Sequence, residues 1–204
     1  MISDAVAHWT VAQIVSRDFK KYDLAEWNRF PRGSNSDKAV LIVGYGHIGK
    51  AVNHYLGYLY QKIEIYDRLQ VRDPLSLENA DIVTFHVPSY FYYPGSLLVD
   101  NKGMINADLL NTANPMITII NSSRGDLVNE QDMADFLKEN PKATYIADVW
   151  GSEPYVDGPL KPFIGTQVFG TPHIASHSVP VLAAHDEDIN NLIEELDEVP
   201  AVEG

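Results

Sequence analysis

The 204-residue sequence contains no cysteine. This absence excludes a disulfide framework, a thiol nucleophile and a thiolate metal site, and it is compatible with a reducing cytoplasm. Basic residues are also scarce, because 15 Lys and Arg stand against 28 Asp and Glu, which gives a formal net charge of −13. Nucleic-acid binding draws most of its affinity from clustered Lys and Arg. We therefore expect no nucleic-acid partner, and we expect no metal ion.

Long apolar segments are missing as well. The first fifteen residues, MISDAVAHWTVAQIV, carry Asp4, His8 and Gln13 and lack a basic leader followed by an apolar core. They predict neither a signal peptide nor a membrane span, so we expect a cytoplasmic protein without a membrane partner. With 45% hydrophobic and 21% charged residues, the chain has the material for one well-packed core.

Short apolar runs alternate with helix-like stretches after residue 38. The runs are mostly β-branched and bounded by turn residues, as strands are, and they lie at 39–43, 62–66, 82–86, 116–120, 144–149 and 167–169. The clearest helix covers 129–140, where Asn129 is the cap and Met133, Phe136 and Leu137 form one apolar stripe. This alternation predicts an α/β fold, a doubly wound parallel sheet covered by helices on both faces.

Two further helices are predicted at the ends of the chain. Residues 3 to about 18 carry Val6, Trp9 and Ile14 among small and polar residues, as in an amphipathic helix. A linker rich in Pro, Gly, Ser and Asn, NRFPRGSNSDK, follows at 28–38. Leucines and isoleucines recur at helical spacing over 179–196, ahead of an acidic tail.

The sequence GYGHIG at residues 44–49 joins the first predicted strand to a helix. Glycines at this spacing serve any tight turn, but between a strand and a helix the pattern has a mechanism. Gly44 permits the turn, Gly46 lets a pyrophosphate approach the backbone, and Gly49 permits close helix packing. The helix N-terminus offers free N–H groups and partial positive charge to the phosphates. The stretch predicts a Rossmann-like dinucleotide-binding turn, with a plain structural turn as the alternative.

Asp67 ends the next strand, 23 residues after Gly44. An acid about 20 residues beyond the glycine turn binds the adenosine ribose in dinucleotide-binding domains. Its carboxylate would repel a 2′-phosphate, which favours NAD over NADP. Arg68 tempers this preference, because an adjacent guanidinium is what a 2′-phosphate would need.

Three later stretches leave polar groups at the ends of apolar strands: NSSRGDLVNE (121–130), ADVWGSEP (147–154) and TPHIASHS (171–178). The carboxyl ends of parallel strands are where ligands bind, so Arg124, Glu153 and His173 can share one cleft. Taken singly, each residue has an ordinary explanation: a surface ion pair, a loop acid before a proline, and a turn histidine. Their occurrence as a set favours a shared site.

These stretches, together with GYGHIG, the Asp67 position and ADIVTFHVP at 80–88, resemble the D-isomer-specific 2-hydroxyacid dehydrogenases from about Asp4 to at least Ser178. The combination is much more specific than any one motif. The resemblance implies an NAD-dependent oxidoreductase that moves a hydride between nicotinamide and C2 of a small D-2-hydroxy or 2-oxo acid. It also implies that 1–178 is the dinucleotide-binding domain, and that 179–204 is a remnant of the substrate domain.

The same resemblance implies roles for individual residues. Arg124 would orient the substrate carboxylate and carbonyl, and His173 would be the acid/base with Glu153 as its partner. The amides of His47 and Ile48 would meet the pyrophosphate. Asp148 would meet the nicotinamide carboxamide. The remaining implied cofactor contacts are Gly44, Gly46, Gly49, Asp67, His86, Val87, Pro88, Ser122, Ser123, Arg124, His173 and Ala175.

The chain departs from the family at its start. Family members begin with a half-domain that precedes the crossing helix, whereas this chain begins at that helix, so we expect part of the substrate domain to be absent. We expect NAD binding to survive this loss better than turnover. The alternative is a non-catalytic module that senses NAD(H) on the same scaffold.

The sequence also carries signals for assembly and substrate. In the family the cofactor domains pair through the crossing helix, which predicts a homodimer, although the apolar residues of that helix could cover only their own sheet. The stretches TFHVPS and DVWGSEP resemble the 4-phosphoerythronate dehydrogenases slightly more than the other members of the family. The loop 89–103, with four aromatic residues in a row, could be a lid or a partner surface, but we expect its rings to pack on the domain.

Overall fold

A computed structural model of the chain describes residues 2–18, 37–71, 73–92, 98–178 and 181–182. Most of the predicted linker at 28–38 and of the predicted helix at 179–196 lies outside these residues, as does the acidic tail.

The described residues form a six-stranded parallel sheet with helices on both faces, so the predicted doubly wound α/β fold is confirmed. The strands of this sheet lie in the order β2-β1-β3-β6-β7-β8. The strands of the chain are β1 (Ala39–Val43), β2 (Lys62–Tyr66), β3 (Ile82–Phe85), β4 (Tyr90–Tyr92), β5 (Leu98–Asp100), β6 (Thr118–Asn121), β7 (Thr144–Ala147) and β8 (Val168–Gly170). The helices are α1 (Ile2–Asp18), α2 (His47–Leu56), α3 (Ala107–Leu110) and α4 (Glu130–Glu139).

Side chains alternate between the two faces of each strand, and this alternation divides the core in two. On one face, Ile42 and Ile120 lie in a cluster with Ala7 and Ile14 of α1 and Val52 of α2. On the other face, residues of β1, β3 and β6 pack with α3 and α4; this cluster includes Val43, Val83, Ile119, Leu109, Leu110, Met133 and Leu137. Burial on both faces explains why the strands are almost continuously apolar.

Helix α4 begins and ends where the sequence predicts. The side chain of Asn129 accepts hydrogen bonds from the amides of Gln131 and Asp132, which satisfies two of the free donors at the helix start. Met133, Phe136 and Leu137 are buried, as the apolar stripe requires.

The described part of the crossover from β2 to β3 lacks the helix that a regular alternation of strands and helices would place there. Its described residues, 67–71 and 73–81, form turns and extended segments rather than a helix. Leu77 is fully buried there and its amide donates to the hydroxyl of Thr112 at 2.8 Å. One buried leucine thus anchors the crossover against the α3 side of the sheet.

Helix α1 packs against α2 and reaches the end of β6. The hydroxyl of Thr10 donates to the carbonyl of Val6 at 2.9 Å and lies 3.2 Å from the hydroxyl of Ser122. Val6 and Ile14 are buried within this chain, so these two residues serve the chain's own core. Trp9 is half-buried.

Strands β4 and β5 pair antiparallel within the segment 89–103, which the sequence pattern does not predict. Phe91 faces Val99 and is half-buried, whereas Tyr90 is 45% and Tyr92 76% exposed. The expectation that the rings of this segment pack on the domain is therefore wrong for Tyr90 and Tyr92. Period-two alternation along β4 turns these two rings to the same outer face.

No helix within the described ranges is both long and apolar enough to cross a membrane.

Replacing Ile120 by alanine is expected to destabilise the fold by about 2–5 kcal/mol, because it leaves a cavity between α1 and the central strand β6. Urea unfolding followed by circular dichroism measures this loss. The matched control is Met116→Ala, since Met116 precedes the same strand but is 62% exposed, and a change within about 0.5 kcal/mol is expected. Equal losses for the two variants would contradict the assignment of the core.

Candidate active site

The glycine turn follows β1 and touches the loop after β3. Gly44 has φ +92°, a conformation that favours glycine, and its amide donates to the carbonyl of Tyr66 at 2.8 Å. A β-carbon on Gly49 would lie 2.1 Å from the carbonyl oxygen of Gly44, so only glycine lets α2 approach β1 this closely. A β-carbon on Gly46 would meet no atom within 4 Å. The middle glycine therefore faces open space, where a ligand can reach the backbone.

Helix α2 begins at His47, directly above this opening. Its N-cap is Gly46, which provides no side-chain acceptor. The first amides of any helix lack acceptors within the helix and carry partial positive charge, which suits a phosphate group. The open cradle at Gly46 and the uncapped amides of His47 and Ile48 fit the pyrophosphate of a dinucleotide.

Asp67 lies at the end of β2 and is tied to the glycine turn. Its Oδ2 accepts a hydrogen bond from the amide of Tyr45 at 3.0 Å, and its Oδ1 accepts one from the amide of Leu69 at 2.9 Å. A carboxylate has about four lone-pair positions, so these two bonds leave acceptor capacity for ribose hydroxyls. Arg68 is exposed beside it.

His86 follows β3 at the point where the sheet order reverses. Its Nε2 lies 3.0 Å from the hydroxyl of Thr84, and its Nδ1 is buried without a hydrogen-bond partner. Burial lowers the pKa of His86 to about 3, so this imidazole is neutral near pH 7. The neighbouring carbonyl of Val87 accepts a hydrogen bond from the hydroxyl of Ser123, which joins the loops after β3 and β6. Pro88 is exposed.

Arg124 is held by the turn that ends β6. The side chain of Asn121 donates to the carbonyl of Arg124 at 2.8 Å and accepts from the amide of Ser123 at 3.1 Å. The exposed guanidinium donates from Nη1 to the carbonyl of Ser123 at 2.7 Å. Ser122 is buried and its side chain lies against Thr10, so any cofactor contact of Ser122 would come from its backbone.

Glu153 and His173 meet directly. The Nδ1 atom of His173 lies 2.8 Å from Oε2 of Glu153, and Oε1 of Glu153 accepts from the amide of Trp150 at 3.1 Å. The bond to His173 lowers the pKa of Glu153, with the amide of Trp150 acting in the same direction. Because a carboxylate only accepts, Nδ1 carries the proton in this bond, and Nε2 remains available for proton exchange. The two side chains are partly exposed, at 39% and 47%.

The loops of Arg124 and Glu153 are also in contact. A β-carbon on Gly125 would lie 1.9 Å from the carbonyl oxygen of Trp150, so the glycine after Arg124 is required for this approach. The β6 and β7 strands are parallel neighbours, which brings both loops to one edge. The structure thus gathers the three predicted catalytic residues on adjacent loops.

Sequence reasoning missed the residues that support these loops. Glu130, at the start of α4, accepts from the amide of Gly151 at 3.0 Å and from the hydroxyl of Tyr155 at 3.3 Å. The indole of Trp150 donates to the carbonyl of Thr171 at 3.0 Å. Glu130 looks like an ordinary first-turn acid in the sequence, and its long-range partners leave no local signal.

Behind His173, the predicted cofactor residues Asp148 and Ala175 contact each other. The amide of Ala175 donates to Oδ2 of Asp148 at 2.8 Å. Asp148 is buried directly after β7.

A cavity of about 510 Å³ lies beside this loop region, bordered by Glu153, Trp150, Tyr155, Phe169 and Pro172. Its lining residues include no Lys, Arg or His. A carboxylate substrate needs a cationic partner, and Arg124, the predicted substrate anchor, does not border this cavity. The cavity therefore does not suit an anionic substrate.

Comparison with known proteins shows the family to which the chain belongs. The family model for the D-isomer specific 2-hydroxyacid dehydrogenase, NAD binding domain, matches residues 7–175. Erythronate-4-phosphate dehydrogenase of Wigglesworthia glossinidia brevipalpis is 34% identical over 152 residues, which are 70% of this chain and 38% of that protein. The same enzyme of Psychrobacter sp. is 31% identical over 155 residues, 72% of this chain and 40% of that protein. The chain thus spans about two-fifths of the length of these relatives.

Solved structures match the fold. NAD-dependent formate dehydrogenase from Staphylococcus aureus in complex with NAD has a TM-score of 0.73 at 18% identity, covering 96% of this chain and 62% of that one. A D-isomer specific 2-hydroxyacid dehydrogenase from Xanthobacter autotrophicus Py2 has a TM-score of 0.73 at 22% identity, covering 98% and 69%. With the family match over most of its length, the chain belongs to the D-isomer specific 2-hydroxyacid dehydrogenases, as an NAD-binding domain of that family.

Proposed function

We propose that this chain carries the cofactor-binding and acid–base parts of an NAD-dependent D-2-hydroxyacid dehydrogenase active site. The observation that supports this most is the 2.8 Å bond between His173 and Glu153, at the sheet edge that also carries the glycine turn. Bound NAD(H) supplies the hydride chemistry at C2 of the substrate. The chain's own residues bind the cofactor, orient the acid and move the proton.

His173 is the proposed proton donor and acceptor. In reduction, its Nε2 gives a proton to the oxygen of a 2-oxo acid, and in oxidation the same atom takes the proton from the hydroxyl group. Glu153 accepts a hydrogen bond from Nδ1 throughout, which orients the ring. His86 does not compete for this role, because enclosure of its imidazole lowers its pKa to about 3.

Arg124 is the proposed substrate anchor. A guanidinium presents planar paired donors that match a carboxylate, and this fixes which face of the C2 carbonyl meets the nicotinamide. The bond from Nη1 to the carbonyl of Ser123 and the Asn121 contact restrict the arginine to the cleft after β6.

The proposed cofactor path runs along the sheet edge. Asp67 binds the adenosine ribose, the amides of His47 and Ile48 bind the pyrophosphate, and Asp148 contacts the nicotinamide carboxamide. The loops after β3 and β6 line the cleft between them, through His86, Val87, Pro88, Ser122 and Ser123. His173 and Ala175 border the nicotinamide end.

4-Phosphoerythronate is the proposed substrate. The support comes from relatives that are 31–34% identical to this chain. These relatives are erythronate-4-phosphate dehydrogenases. A 4-phosphorylated 2-hydroxy acid presents the carboxylate and C2 hydroxyl that Arg124 and His173 recognise.

A second function has support in the exposure of the acid–base pair. The side chain of His173 is 47% exposed, and a water-filled cleft weakens electrostatic catalysis. A module that binds NAD(H) and responds to it without turnover would retain the glycine turn and Asp67. Assay of the chain for oxidation of D-2-hydroxy acids separates the two functions.

Self-association is the proposed assembly, as a cytoplasmic homodimer with isologous contacts through the outer face of α1 and α2. This face carries exposed aromatic groups: His54 contacts Tyr58 with ring centroids 5.6 Å apart, and Tyr58 is 80% exposed. His8 contacts Tyr55 on the same face at 4.7 Å.

NADH is expected to bind the chain more tightly than NADPH, because the Asp67 carboxylate accepts ribose hydroxyls and repels a 2′-phosphate. Asp67→Ala should weaken NADH binding by about 10- to 100-fold, because it removes hydrogen bonds to a charged group, and the loss of such bonds lowers affinity by about this factor. Calorimetric titration measures both affinities. The matched control is Asp73→Ala, an exposed acid in the same loop region, which should leave NADH affinity unchanged. A folded chain without NADH affinity would refute the proposed function.

His173→Asn is expected to lower kcat by about 10²- to 10⁴-fold while leaving NADH affinity nearly unchanged, since it removes the proton donor but keeps the proposed cofactor contacts of Asp67 and the glycine turn. Nicotinamide absorbance reports turnover with a panel of D-2-hydroxy acids that includes 4-phosphoerythronate. His54→Asn, on the outer face of α2, should retain activity. NADH binding without turnover of any acid by the unmodified chain would favour the sensor function instead.

Light scattering is expected to give twice the mass of one chain. Tyr58→Asp should convert the dimer to a monomer, because it places a charge in the proposed apolar contact. Tyr92→Asp is the matched control, since Tyr92 is 76% exposed on β4, away from α1 and α2. A monomeric parent chain, or dissociation caused by both substitutions, would rule out this interface.

A further inference from the structure

Asp148 lies immediately after β7 and only 1% of it is exposed. Its Oδ1 accepts from the hydroxyl of Thr171 at 2.5 Å and from the amide of Ile174 at 2.8 Å. Its Oδ2 accepts from the amide of Ala175 at 2.8 Å. The backbone carbonyl of Asp148 accepts from the amide of His173, also at 2.8 Å. One buried residue therefore holds the turn on both sides of His173.

The backbone of His173 needs such support. Its φ is +56°, in the left-handed region that residues with a side chain rarely adopt. Strained conformations of this kind persist only where the surroundings hold them in place. The four hydrogen bonds to Asp148 flank the strained residue and account for its conformation.

This backbone conformation decides where the imidazole points. His173 reaches Oε2 of Glu153 from the turn at 171–175, while Glu153 is placed by a different loop, through the amide of Trp150. If the turn relaxed, the ring would leave Glu153, because no other contact joins the two side chains among those described. The dyad thus depends on a carboxylate that touches neither of its members.

We propose that Asp148 is a positioning residue, which holds His173 in register with Glu153 through the 171–175 turn. This inference deepens the proposed function and rests on it for its catalytic meaning. The three bonds to the carboxylate leave about one lone-pair position, so a contact with the nicotinamide carboxamide is compatible with the positioning role.

The test is Asp148→Asn in the 204-residue chain. Asparagine has nearly the same shape, but its NH₂ group must replace one oxygen, and each oxygen now accepts from a backbone amide. At least one of these bonds is therefore lost and replaced by two facing donors.

The readout is the pKa of Glu153, measured by carbon-13 NMR of glutamate-labelled protein. The bond to His173 holds this pKa below its ordinary value of 4.5. Asp148→Asn should raise it towards 4.5, as His173→Ala should. Removing the negative charge of Asp148 without moving His173 would push the pKa of Glu153 the other way, so the sign of the change separates positioning from simple electrostatics.

Two further variants keep the test decisive. Thr171→Val removes one donor to Asp148 and should raise the pKa of Glu153 by a smaller amount, which preserves the test if Asp148→Asn does not fold. Asp157→Asn is the matched control, an exposed acid in the loop that carries Glu153, and should change nothing. In the His173→Ala background, Asp148→Asn should add no further rise.

An unchanged or lowered pKa of Glu153 in folded Asp148→Asn protein would overturn the positioning role, as would a further rise in the His173→Ala background. These measurements need no substrate or cofactor. Failure of the chain to bind NADH would count against the proposed function alone and would leave the result for Asp148 standing.

Discussion

Parallel pairing of the six strands is the constraint on which the site depends. It sends the carboxyl ends of β1, β2, β3, β6, β7 and β8 to one edge, so that loops distant in sequence become neighbours. The edge is divided by function: the glycine turn and Asp67 lie at the β1 and β2 end, and the Glu153–His173 pair at the β7 and β8 end. Glycines 44, 49, 125 and 170 each permit a close backbone approach along it, since a β-carbon there would lie only 1.9 to 2.7 Å from a carbonyl oxygen.

Two histidines on this edge, His86 and His173, have different surroundings and therefore different chemical properties. His86 is enclosed beside Thr84, where removing water penalises the charged ring, so its imidazole acts as a neutral polar wall of the cleft. His173 is partly exposed and bonded to a carboxylate that the same bond keeps ionised. If His173 carries the proton as proposed, burial keeps the imidazole of His86 neutral and out of proton exchange.

Local patterns in the sequence predicted most of the sheet and drew attention to the candidate residues at the carboxyl ends of its strands. The strand positions followed from short apolar runs, and α4 from the Asn129 cap, because these signals reside in neighbouring residues. The pairing of β4 with β5 was not predicted, because residues 90–92 are all aromatic and show no alternation of apolar and polar side chains. The supports of the site, Glu130 beneath Gly151 and Asp148 beneath the 171–175 turn, could not be predicted, since their partners lie 21 to 27 residues away and depend on the completed fold.

The contact between Thr10 and Ser122 joins residues 112 positions apart in the chain. Helix α1 precedes every strand of the sheet in the sequence, yet the surface on which it rests includes Ile120 of β6 and Ile146 of β7. During synthesis, α2 and β1 become available to α1 early, but the part of its surface that β6 and β7 form exists only after those strands have been made. The docking of α1 is therefore completed only when the later strands have joined the sheet, so α1 links early and late parts of the fold.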